Sequence, residues 1–166
     1  VIIECSPGEA RYAGIKQMVA LARAFEDEVQ IPIILNLDHG TDPDTVKKAI
    51  DGGFDYVHFD AGELPFEEAI KTAKKLAAYA HKKGIPIESE IDHIEGSSAD
   101  HTSESTEKYA IKAKYTDPKR ARKYIQETGI DVFAGFFGNM HGIYAEPKHL
   151  DFEVLSELRT LNPHVF

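Results

Sequence analysis

Short apolar runs and longer amphipathic stretches take turns along this chain, and that alternation leaves few folds open. The runs are VIIEC at 1–5, IPIILNL at 31–37, YVHF at 56–59, IPIESEI at 85–91 and DVFAGFF at 131–137. Each has strand length and is rich in β-branched or aromatic residues. Between them, apolar residues recur at three- and four-residue spacings. GIKQMVALARAFEDE at 14–28 gathers Ile15, Met18, Val19, Leu21, Ala22 and Phe25 on one helical face and leaves charge on the other. The helix ends are marked too. Asp42-Pro43 predicts an N-cap and a first-turn proline before DTVKKAIDGG, which Gly52 and Gly53 stop. Thr116 or Asp117 with Pro118 repeats the device before KRARKYIQETG, ending at Gly129, and KTAKKLAAYAHKKG ends at Gly84. Strand and helix thus recur about every 25 to 45 residues, as in a parallel sheet with helical crossovers.

Parallel strands buried on both faces belong to a doubly wound sheet or to a (β/α)8 barrel. A dinucleotide-binding sheet carries G-x-G-x-x-G after its first strand, and SPGEARYAG lacks that spacing. Polar and ionisable residues stand instead at the carboxyl ends of the strands: Ser6, Asp38 and His39, Asp60, Glu88 and Glu90, and His141. In a barrel those ends converge on one mouth. The expected fold is therefore α/β, a partial (β/α)8 TIM barrel, with residues 1–166 as a single domain. Five strands cannot close an eight-stranded barrel. The abrupt VIIEC start and NPHVF end read as the limits of a segment from a longer chain. One irregular loop, 92–115, is rich in Ser, Glu and Thr; it reads as a lid over the mouth or as a surface insertion.

At 166 residues and 42% hydrophobic, the chain can bury one sizeable core. Its net charge of −9 repels phosphate backbones and anionic lipid, so neither nucleic acid nor membrane is an expected partner. An anionic substrate would then need backbone dipoles or a metal to hold it. A single cysteine cannot form an internal disulfide, and a cytoplasmic location is expected.

Asp38, His39 and Gly40 stand together where a core-like strand gives out. Alone, such a D-H-G reads as a helix N-cap beside a polar loop histidine. GFFGNMHGIY repeats the pattern at His141, another strand end followed by glycine. Two strand-end histidines on one mouth with Asp60, Glu88 and Glu90 point to a divalent metal site, with zinc best suited and cobalt or manganese able to replace it.

LDHG, DGGFDYVHFDAGELPFEEAI, ESEI, YTDP and HGIYAEPKHLDF occur in the order and at the separations found in class II fructose-bisphosphate aldolases, and the chain resembles that family from SPGEARYAG to LDFEVL. The resemblance corresponds to barrel strands two to six and the approach to strand seven. It implies a zinc-dependent lyase of glycolysis and gluconeogenesis. That enzyme would cleave fructose 1,6-bisphosphate reversibly to dihydroxyacetone phosphate and glyceraldehyde 3-phosphate. By position, it implies that Asp38 is the catalytic acid/base and that His39 and His141 are metal ligands, with Glu90 and Asp60 close to the metal. Ser6 falls at a phosphate-contacting serine and Gly142 in a loop for phosphate and a monovalent cation, Na+ or K+. A third metal histidine is expected beyond Phe166, and a homodimer or homotetramer is the implied assembly.

Three departures bear on this. Ser97 and Ser98 stand where the family's lid carries two acids, leaving Glu95, Asp100 or Glu104 as substitutes. Met140 replaces a small hydroxyl residue before the histidine, and Asp92 and His93 replace glycine and a small residue, adding two auxiliary ligands or a surface pair. A tagatose-bisphosphate or other ketose-phosphate aldolase, and a catalytically silent metal or sugar-phosphate binding homologue, are the competing functions.

Overall fold

The β-branched runs do pair as parallel strands, joined by the helices between them. The computed structural model describes residues 1–94, 96–103, 115–145 and 150–166, without the side chains of 96–98. Strands β1 (Ile2–Cys5), β2 (Ile34–Gly40), β3 (Tyr56–Asp60), β4 (Ile87–Glu90) and β6 (Val132–Phe133) form one parallel sheet in the order β1-β2-β3-β4-β6. Helices α1 (Pro7–Ala13) and α2 (Ile15–Val29) follow β1, α3 (Pro43–Gly52) follows β2, α4 (Phe66–His81) follows β3 and α5 (Pro118–Thr128) precedes β6. A helix α6 (Phe152–Leu161) packs beside α5. This is an α/β fold consistent with part of a (β/α)8 barrel. No described helix is long and apolar enough to cross a membrane.

Side chains alternate between the two faces of a strand, and here the faces differ in chemistry. Leu35, Leu37, Val57, Phe59 and Ile87 are fully buried in one core with Val46, Ala49, Ala69, Ala73, Leu76, Ala77 and Ala80 of α3 and α4. Fully burying a residue such as Leu37 or Phe59 is worth roughly 1.5–3 kcal/mol. The other face carries Asn36, Asp38, Tyr56, His58, Asp60, Glu88 and Glu90, and the register sets His58 against Glu88 and Asp60 against Glu90. The polar face is the barrel's inner face, and its upper end is the mouth.

The capping signals hold. Asp42 accepts from the backbone N–H of Asp44 and Thr45, Pro43 opens α3, and Gly53 ends it in the left-handed region. Asp117 caps α5 at the N–H of Arg120, and Gly129 closes it. Other stretches differ from expectation. SPGEARYAG is the helix α1, begun by a capping box between Ser6 and Glu9. The run 131–137 pairs over only Val132–Phe133, because beyond it Phe136 N–H turns to the Thr116 hydroxyl at 2.8 Å. Within the expected loop 92–115, Gly96–Asp100 is a strand, β5, paired in parallel with β7 (His141–Ile143). The backbone after β4 therefore returns to flank the strand that begins at His141.

Candidate metal and proton-transfer site

Neighbours in a regular strand point to opposite faces, so Asp38 and His39 could not both reach the mouth from one. The β2–β3 ladder resolves this with one extra residue: Leu37 pairs with Val57 and Gly40 with Phe59, so Asp38 and His39 together oppose His58. Such a bulge re-aims side chains. His39 takes φ 49°, in the left-handed region that costs a non-glycine residue about 1–3 kcal/mol. Gly40 follows because no side chain fits: a Cβ there would lie 3.0 Å from the His58 carbonyl oxygen and 2.8 Å from Val46 Cγ2.

His39 then faces in two directions. Its Nε2 lies 3.2 Å from His141 Nε2. Its Nδ1 lies 3.2 Å from Asp60 Oδ2 and 2.8 Å from Glu90 Oε1. Two nitrogens that each bind one tetrahedral zinc at 2.0–2.1 Å stand about 3.3 Å apart, so the His39–His141 spacing suits a shared divalent ion. The carboxylates on Nδ1 suit the partner that a metal-binding imidazole uses to fix its tautomer. Glu90 is 1% exposed, and neither of its oxygens has an aligned hydrogen-bond donor among the described residues. A buried carboxylate in that state calls for a cation. Among the described residues, two sets of donors lie close enough to hold one: Asp38, His39 and His58, and His39, Asp60 and Glu90.

The charges explain the titration of the cluster. Asp60 and Glu90 push the His39 imidazole up to about 10 despite its burial. Burial favours the neutral His58 ring, while the neighbouring Asp38 and Glu90 carboxylates raise its pKa. His58 holds the Asp38 carboxyl below the usual range, against the effect of burial, and Asp38 is thus ionised at neutral pH. Asp60 is lowered as well: burial opposes it, while His39 and the Gly62 N–H at 3.0 Å favour the carboxylate.

His58 is the member that strand-end reasoning misses. It is 4% exposed, its Nε2 lies 3.2 Å from Glu90 Oε1, and its Nδ1 lies 3.7 Å from Asp38 Oδ1. The signal was present in YVHFD: His58 stands two residues before Asp60 and so shares its face. Other expected residues sit apart from the cluster. Ser6 follows β1 as the N-cap of α1, and its hydroxyl is engaged with Glu9 in the capping box, at 2.8 Å from Oε2. Gly142 follows His141 with φ 96°. Asp92 accepts from Thr116 at 2.8 Å and from Arg120 at 2.9 Å, tying the end of β4 to α5. His93 is exposed beside Glu63, at 3.7 Å. Glu95 and Glu104 lie outside the described residues.

Comparison with known proteins agrees in family. A sequence profile described as fructose-bisphosphate aldolase class-II matches residues 1–166. A fructose-bisphosphate aldolase of Staphylococcus aureus is 35% identical over 161 residues, 95% of this chain and 54% of that protein. One of Geobacillus stearothermophilus is 34% identical over 164 residues, 97% of this chain and 55% of that protein. The crystal structure of the YdjI aldolase from Escherichia coli K12 superposes with a TM-score of 0.75 at 27% identity, covering 97% of this chain and 53% of that one. The chain spans about half the length of the curated relatives it matches. With the profile running from the first residue to the last, the chain belongs to the class II fructose-bisphosphate aldolase family.

Proposed function

We propose that this chain carries the proton-transfer and metal-binding part of a cytoplasmic, zinc-dependent aldolase that cleaves a phosphorylated ketose. The substrate we assign is fructose 1,6-bisphosphate, cleaved reversibly to dihydroxyacetone phosphate and glyceraldehyde 3-phosphate. One observation carries the reading: His39 Nε2 and His141 Nε2, from strands a hundred residues apart, stand 3.2 Å from each other with Asp38 beside them.

Zinc or another divalent ion held by these histidines would supply Lewis-acid stabilisation of the charge that carbon–carbon cleavage leaves on a carbonyl oxygen. Asp38, ionised and next to His39, takes the proton from the hydroxyl whose carbon becomes the aldehyde, and returns it in the aldol direction. Asp60 accepts the His39 Nδ1 proton, which leaves Nε2 free to bind; Glu90, buried 2.8 Å from Nδ1 without an aligned donor among the described residues, is a candidate direct ligand. Gly142, at φ 96° within β7, contributes backbone to a phosphate and monovalent-cation site. Ser6 contacts phosphate only if its hydroxyl leaves Glu9.

The test is metal analysis of the purified protein, followed by cleavage assays on fructose and tagatose bisphosphates with and without chelator. Bound zinc and chelator-sensitive cleavage of the fructose ester are expected. Asp38→Asn should keep the metal and lose about 10²–10⁴-fold in kcat. Chelator-resistant cleavage would sink the metal mechanism, and preference for the tagatose ester would move the substrate. Tight metal with no cleavage of either would favour the silent homologue, the reading supported by Ser97 and Ser98 in place of lid acids.

A further inference from the structure

A bulge leaves one backbone N–H without its ladder partner, and in the core that group must find another. In β2 the group is His39 N–H, and it donates to the side chain of the residue the bulge opposes: His58 Nδ1, at 3.4 Å. An amide can only donate, so this contact is made by the neutral ring, in which Nδ1 accepts and Nε2 carries the proton; Nε2 lies 3.2 Å from Glu90 Oε1, a close polar contact without hydrogen-bond alignment. Asp38 Oδ1, at 3.7 Å from the same Nδ1, is beyond hydrogen-bond distance. Through one ring, the left-handed turn at His39 is joined to Glu90, which itself lies 2.8 Å from His39 Nδ1. The loop closes on itself: His39 backbone, His58 ring, Glu90 carboxylate, His39 ring.

We propose that His58 is a positioning residue: it holds the bulge of β2 and the Glu90 carboxylate in one arrangement, so that Asp38 and His39 meet the metal at a fixed spacing. The activity part of this proposal rests on the aldolase reading above; the metal-binding part does not. His58 is buried beneath the cluster, so it acts through its neighbours rather than on substrate.

Three substitutions separate the two contacts. His58→Met fills the space and removes both. His58→Asn keeps an acceptor near the Nδ1 position, and His58→Gln keeps a donor near the Nε2 position. Each is titrated with cobalt(II), read by visible absorption for affinity and coordination geometry, and melted in chelator to check folding. His58→Met should bind cobalt about 10–100-fold more weakly, as when an outer-shell partner is lost, with an altered spectrum. At saturating metal its kcat should fall at least about tenfold with KM within about twofold, because substrate contacts are intact. His58→Asn should recover more of the cobalt affinity than His58→Gln, because the acceptor holds the turn. A folded His58→Met with wild-type cobalt affinity and spectrum would overturn the proposal. So would His58→Gln outperforming His58→Asn, a comparison that stands even if the methionine variant does not fold. If the unsubstituted protein binds cobalt but cleaves no ketose bisphosphate, the aldolase reading fails while the cobalt comparison still decides the role of His58.

Discussion

His39 is charged in the metal-free protein, and this makes metal binding a proton exchange. Its pKa of about 10 lies above the ordinary value of 6.5. A group raised on folding stabilises the fold fully below its unfolded pKa and loses that contribution as pH climbs through the folded one. Chelated protein should therefore lose melting temperature between about pH 6.5 and about pH 10 through this group. Metal affinity should change in the opposite sense, rising over the same window, because the ion displaces the proton from His39. Calorimetric titration at pH 7.5 in two buffers of different ionisation enthalpy should show about one proton released per zinc. No release would mean that the His39 ring is already neutral. Asp38 and His39 were legible in the sequence because they stand before glycine at a strand end, where a polar residue has no core to enter; His141 was singled out by the same His-Gly pattern, although it opens β7 rather than ending a strand of the five-stranded sheet. His58 was not, because a histidine flanked by Val57 and Phe59 reads as part of the apolar run; only its two-residue spacing from Asp60 sets it on the inner face.

Element by element, the caps were the most legible feature and the strand ends the least. Asp42-Pro43 and Asp117-Pro118 start helices because the side-chain oxygen and the fixed proline φ act locally, whatever the tertiary context. The bulge in β2 has no local signature, since it arises from the pairing with β3. Likewise β5 and β7 are strands only because each finds the other. Gly40 is where these levels meet. Its Cβ would press on the His58 carbonyl oxygen and on Val46 and Leu37, all within 3.1 Å, and backbone on one side cannot yield as a flexible side chain would. Gly40→Ala should cost about 1–3 kcal/mol of stability and, by separating β2 from β3, weaken cobalt binding as well. Denaturant unfolding and metal titration of the variant check both; loss of stability with unchanged metal affinity would show that the bulge holds its geometry without close contact to β3.

At the scale of the whole molecule, the sheet has two edges to satisfy. On one side β1 is the last strand, and the neighbouring Val1, Ile2, Ile31 and Ile34 are exposed, as are Leu21 and Phe25 on α2. On the other, Phe166 N–H donates to the Asp131 carbonyl at 3.2 Å and its own carbonyl accepts from Phe133 N–H at 2.8 Å, the pattern of a further parallel strand starting beside β6. Beside that start, Phe133, Leu155, Leu158 and Phe166 line an apolar cavity of about 140 Å³ between β6 and α6. An open parallel sheet with apolar residues at its margins pairs with whatever strand it meets. Residues 1–166 expressed alone should therefore elute as assemblies larger than the 18.5 kDa monomer and expose enough apolar surface to bind a hydrophobic dye. The C-terminal half of a curated relative, supplied in trans, should reduce both signals. Light scattering that shows a clean 18.5 kDa monomer with a sharp, cooperative melt would instead mean that these five strands satisfy their own edges. The polar inner face bearing His39, His58 and Glu90 would then face solvent rather than further strands, with Glu90 kept at 1% exposure by neighbours within residues 1–166.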